Sequence, residues 1–182
     1  MKVIQLSNAE FLPHVTGLVA EGHNVSIRAK GQSMRPFVES ERDIAVLSKE
    51  EAFEVGDVVL AEIEPGHYVL HRIDKIEDAQ GKAVKGKTSD GNAKVTLRGD
   101  GNVVNKVNGG VEHCELRDIR ALCSQFVRKG KTWDLRTSRF WKVYSWAWPK
   151  LLPARRYLLA LYKLLWLRQL PYRWQKYVKC EV

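Results

Sequence analysis

A serine, a histidine and an aspartate in this chain stand in settings suited to chemistry at a carbonyl carbon. Ser33 lies in Gly31-Gln32-Ser33-Met34-Arg35-Pro36, a short segment bounded by glycine and proline. A serine hydroxyl is a weak nucleophile until a base takes its proton and a third group orients that base. His71 is the candidate base, 38 residues further on, inside the alternating run Tyr68-Val69-Leu70-His71-Arg72. Imidazole can accept a proton near neutrality unaided, whereas a lysine base must first be desolvated. Asp100 completes the set in the turn-like Gly99-Asp100-Gly101-Asn102.

Each residue also has an ordinary structural role to set against the chemical one. Ser33 on its own would be a turn serine. Gly31 permits close backbone approach, Pro36 fixes the exit of the turn, and Met34 is expected to pack beneath the site. Strand alternation puts Val69 and His71 on one face and Leu70 and Arg72 on the other. Lys30 is a rival base, but three residues of extended chain point it away from Ser33. Asp100 either accepts the second ring proton of His71 or pairs with Arg72, and the sequence leaves both open. An oxyanion formed there would need preorganised donors.

These residues carry a resemblance. The segment Gly31 to Pro36 resembles the G-x-S-M-x-P nucleophile box of type I signal peptidases and the related LexA-like self-cleaving repressors. Gly56-Asp57-Val58-Val59-Leu60, His71-Arg72 and Gly99 to Asn102 are similar to the family's three later boxes, in family order, within residues 24 to 127. Bacterial signal peptidases carry lysine at the base position, and the endoplasmic-reticulum and archaeal type carries histidine, as here. The resemblance implies a serine endopeptidase with Ser33 as nucleophile and His71 as base. Gly31, Met34, Pro36, Arg72, Gly99 and Asn102 would support them. It implies the Ser33 backbone N–H with a further main-chain donor for the oxyanion, a peptide or protein substrate, and neither metal nor organic cofactor. In the histidine type a second aspartate follows the Gly-Asp turn by six residues. That position is Lys106 here, so a Ser–His pair without a third member stays open. The alternatives are a self-processing regulator and a catalytically silent peptide-binding module.

The charge is divided unevenly. Residues 128–182 carry a net +12 and residues 1–127 a net −3, within a total of +9. All six tryptophans follow residue 132. The basic character therefore belongs to the C-terminal part, which needs its own explanation. Cys114, Cys123 and Cys180 form no C-x-x-C pair, which argues against a zinc site or a disulfide framework.

The elements that must position the site follow from patterning. Ser7 to Glu21 is expected as a helix with a Ser7/Glu10 capping box, and with Phe11, Val15, Leu18 and Val19 on one face. Strands are expected at 25–29, 44–47, 58–63, 68–76, 94–97 and 119–127, separated by Gly/Asp/Asn turns. The expected class is mainly β: a compact, partly closed fold of the signal-peptidase/LexA type, with an N-terminal helix and a basic, aromatic C-terminal helical tail. The expected units are 1–23, a peptidase domain over 24–131 and a tail over 132–182, with residues 1–131 expected to stay soluble and keep the Ser/His site without the tail. Helices are expected at 139–148 and 153–170. Their aromatic and basic composition suits an interfacial helix on an anionic membrane surface, with protein docking as the alternative. The 23 residues ahead of the sheet are too few for a DNA-binding domain, so sequence-specific nucleic-acid binding is not expected. Without a long apolar start, the expected location is cytoplasmic, or peripheral on the cytoplasmic face of the membrane.

Overall fold

A computed structural model describes residues 8–28, 30–103 and 110–169, with the side chains of 8, 9 and 166–169 excepted. The Ser7 cap, Ala29, Lys106 and the tail beyond Gln169 lie outside the described residues. Among the described residues the chain is mainly β, 36% strand against 27% helix, with one antiparallel sheet and three α-helices.

The elements are α1 (Asn8–Ala20), β1 (Val25–Arg28), β2 (Ile44–Ser48), β3 (Val58–Glu64), β4 (His67–Glu77), β5 (Lys94–Arg98), β6 (Glu112–Glu115), β7 (Ile119–Arg128), β8 (Lys131–Asp134), α2 (Arg139–Lys150) and α3 (Leu152–Gln169). The sheet runs β1-β2-β7-β3-β4-β5-β6, with β8 paired to β7. β1 and β6 sit at opposite ends of this path, so the sheet is not closed by pairing of those two strands. Register shifts interrupt four of the ladders, where extra residues bend and twist the strands.

Both faces of the sheet are covered, and this explains the sequence of β3. Val58 and Leu60 enter one core with Leu47, Phe126 and α1. Val59 and Ala61 enter a second with Ile73, Leu97 and Leu116. A strand buried on both sides reads as an unbroken apolar run. The longer β4 alternates instead: Tyr68 and Leu70 pack against the first core, Val69 and Ile73 against the second.

α1 forms where the pattern places it, but its inward stripe is displaced. Leu12, Val15 and Val19 are buried, whereas Phe11 and Leu18 are exposed. Gly22 ends the helix with φ 95°. His23 N–H reaches Leu18 O and Gly22 N–H reaches Val19 O, the paired bonds of a glycine-terminated helix.

Packing does not stop at residue 131. Ser138 caps α2 by accepting from Trp141 N–H. Trp141, Tyr144 and Trp148 then project inward at i, i+3 and i+7 and join the first core. Pro149 sits in the last turn of α2, and the break before α3 falls at Leu151.

Candidate functional site

The segment that carries Ser33 is a series of turns between β1 and β2. Gly31 takes φ 106° and donates its N–H to Ser40 Oγ at 3.1 Å. Ser33 is partly buried, Met34 is buried in the first core, and the Arg35–Pro36 peptide is cis. Phe37 anchors the segment against α2, its ring centroid 3.6 Å from that of Tyr144 and 5.4 Å from that of Trp141. Arg35 bonds Gln32 Oε1 at 2.8 Å and pairs with Glu39 at 3.1 Å. Glu39 in turn accepts a hydrogen bond from Tyr162 of α3.

The Gly99–Asn102 turn presses directly on Ser33. Gly101 N–H donates to Ser33 O at 2.6 Å. A Cβ on Gly99 would lie 2.4 Å from Ser33 O and 3.0 Å from Ser33 Cβ, and one on Gly101 would lie 2.6 Å from Gln32 O. Both positions therefore require glycine because backbone passes where a side chain would begin.

Arg72 joins the remaining segments. Its guanidinium meets Asp100 through two hydrogen bonds, at 2.9 and 2.7 Å, and both residues are buried. It also donates to Gly56 O at 2.8 Å and to Ser145 Oγ of α2 at 2.7 Å. The rings of Trp141 and Tyr144 lie 5.0 and 5.2 Å from its centre. Burial works against the charge on Arg72, but Asp100 more than offsets it, and the arginine is held above its ordinary value. Trp148 donates its indole N–H to Asp100 O at 2.9 Å, and Arg155 donates to Asn102 O at 3.2 Å. Of the two roles open to Asp100, the side chain takes the one facing Arg72.

Strand alternation places His71 on the other side of β4. Arg72 pairs with Arg98 across β4 and β5. Alternation along β4 puts His71 on the face of Val69 and Ile73, opposite to Arg72.

The carboxylate beside His71 is Glu112. His71 Nδ1 and Glu112 Oε2 are 2.6 Å apart, within ion-pair range but without an aligned hydrogen bond. Both atoms are buried, and neither has another hydrogen-bond partner among the described residues. The contact with His71 holds the Glu112 carboxyl below its ordinary value, against the opposing effect of burial. Glu112 pairs with Leu97 across β5 and β6, which puts it on the face of Ile73 and His71. Sequence reasoning missed it because Glu112-His113-Cys114-Glu115 lacks the apolar alternation that marks a strand.

No family model, curated protein or solved structure matches this chain.

The other reactive side chains offer little competing chemistry. Burial pushes the Cys114 thiol up to about 12 and raises Cys123 further, so neither is a ready thiolate. Among the described residues, no group of three or more His, Cys, Asp or Glu is placed to hold a metal ion. Lys30 is exposed.

Proposed function

We propose that this chain is a serine endopeptidase of the signal-peptidase/LexA-like group, cleaving a leader or signal-like peptide. One observation carries the reading. The four sequence segments that resemble that family's boxes converge: Gly56 and Asp100 both bond Arg72, Arg72 adjoins His71, and Gly101 bonds Ser33. Segments far apart in the chain would not need to meet if their motifs were accidental.

The chemistry is a two-step acyl transfer. Ser33 Oγ bonds to the substrate carbonyl carbon as its proton passes to His71. The Ser33 N–H and a further main-chain donor receive the charge on the carbonyl oxygen. As the C–N bond breaks, His71 returns the proton to the leaving amine. Water then attacks the acyl carbon and gives a proton to His71. The Oγ–carbon bond breaks and Ser33 recovers its proton. By resemblance, the substrate is an extended segment with small residues before the cleaved bond, added to a sheet edge. Peptides retained by a Ser33→Ala variant would identify it. Intact mass of incubated wild-type protein would separate cleavage in cis from cleavage in trans.

The C-terminal helices supply a seat for the enzyme on an anionic membrane surface. Phe140, Val143 and Trp146 of α2 are exposed, as are Leu161, Leu164 and Leu165 of α3. Residues 135–169 contain eight Lys and Arg and no Asp or Glu, which complements anionic lipid. No helix among the described residues is long and apolar enough to cross a membrane. The seat is therefore interfacial.

A further inference from the structure

We infer that Glu112 is the positioning carboxylate for His71, the role that the sequence left between Asp100 and no residue at all. The inference rests on the peptidase reading and adds a named third member to it. Asp100 is committed to Arg72 through both of its oxygens and lies on the other face of β4. Glu112 lies on the His71 face, 2.6 Å from Nδ1. Nδ1 is the nitrogen that must carry the proton if Nε2 is to accept one from a serine.

The placement also fits what such a carboxylate has to do. A base that becomes imidazolium during the reaction needs a negative charge beside it that does not itself take the proton. Glu112 is held in its charged form chiefly by the imidazole, with His67 adding a smaller attraction. The pair is mostly shielded, the His71 side chain being 5% exposed and that of Glu112 28%. Solvent therefore screens the interaction only partly. β6 supplies the glutamate from an edge strand, which lets a short, charged segment serve the site without disturbing either core.

The test follows Ser33 labelling by a fluorophosphonate, which needs no knowledge of the natural substrate. Labelling rates are measured from acid to alkaline pH for the wild type, Glu112→Gln and Glu112→Asp. Loss of the carboxylate is expected to slow labelling by about a hundredfold, within the range of positioned proton transfer. It should also move the acid limb of the profile to lower pH, because the imidazolium loses its counter-charge. Glu112→Asp should restore part of the rate and return the limb. A Glu112→Gln protein that labels at the wild-type rate with an unmoved profile overturns the inference and leaves the peptidase reading standing. A folded wild type that never labels overturns both. A second measurement avoids any dependence on the variants' folding. Proton NMR of the wild type should show a far-downfield imidazole N–H signal, absent from His71→Ala, and its absence from the wild type would also overturn the inference.

Discussion

Trp148 donates its indole N–H to the carbonyl of Asp100, at 2.9 Å, from a helix that begins after the sheet is complete. A residue of the basic, aromatic region thus steadies the turn that presses on Ser33. α2 therefore has two sides with different work. Its inner side, Trp141, Tyr144, Ser145 and Trp148, holds Arg72 and Asp100. Its outer side, Phe140, Val143 and Trp146, faces solvent.

Removing that inner side should cost more than removing an appendage. A chain ending at residue 131 would expose the first core and strip Arg72 of Ser145 and two aromatic neighbours. Against the expectation that residues 1–131 keep the site on their own, α2 supplies contacts to Arg72 and Asp100. Trp148→Ala should destabilise by about 3–5 kcal/mol, the usual cost of emptying a buried aromatic site. Trp148→Phe should cost about 1 kcal/mol for the lost hydrogen bond. Urea unfolding of the full-length variants measures both.

Breaking the buried ion pair should be comparably severe. Asp100→Asn leaves the Arg72 guanidinium buried without its counter-charge, a change that costs about 3–5 kcal/mol in such pairs. Because Asp100 faces Arg72, the loss of activity should track loss of the fold. In variants that remain folded, the pH dependence of Ser33 labelling should keep its shape. Thermal melts beside labelling profiles would show this.

The Ser33–Gly99 contact is steric and gives a sharp prediction. Gly99→Ala puts a methyl carbon 2.4 Å from Ser33 O, where one side must move. Such overpacking costs about 1–3 kcal/mol. Activity should fall further than stability, because the displaced group is the backbone of the proposed nucleophile. Comparing the melting temperature with the Ser33 labelling rate tests the difference.

The contact between Glu112 and His71 should appear in stability as well as rate. The folded Glu112 carboxyl sits below its ordinary value of 4.5. Its stabilising contribution is therefore present above that pH and is lost as pH falls through the depressed value. Melting temperatures of the wild type and Glu112→Gln should differ near neutral pH and converge in acid. A gap that widened on acidification would contradict this sign.

Much of this arrangement was legible in the sequence, and what was missed has physical causes. β2, β3, β4, β5 and β7 announced themselves by apolar runs or alternation between turn residues. β6 and β8 did not, since Glu112–Glu115 and Lys131–Asp134 are short, polar segments lying along the edge of another strand's pairing. The four boxes located Ser33, His71, Arg72 and Asp100, but sequence order could not say which acid faces the imidazole. The hydrogen bonds between Arg72 and Asp100 and the contact between His71 and Glu112 decide that. The role of α2 was hidden for another reason. Trp141, Tyr144 and Trp148 form an inward stripe whose composition is the same as that of a membrane-facing one.

The outer stripe yields its own prediction. The full chain should co-sediment with vesicles rich in anionic lipid, less with neutral ones, and less as salt rises. Replacing Leu161, Leu164 and Leu165 with polar residues should release it while leaving Ser33 labelling intact. If vesicles are ignored and a partner protein is retained through α3, the surface is a protein-docking face.

The central claim is that Ser33 is a nucleophile activated by His71, and intact mass after fluorophosphonate treatment tests it most directly. The folded wild type should gain one adduct, mapping to Ser33. Ser33→Ala should gain none there, and His71→Ala should react at least about a hundredfold more slowly while keeping its fold. A folded wild type without an adduct, or a His71→Ala protein labelled at Ser33 as fast as the wild type, would contradict the account.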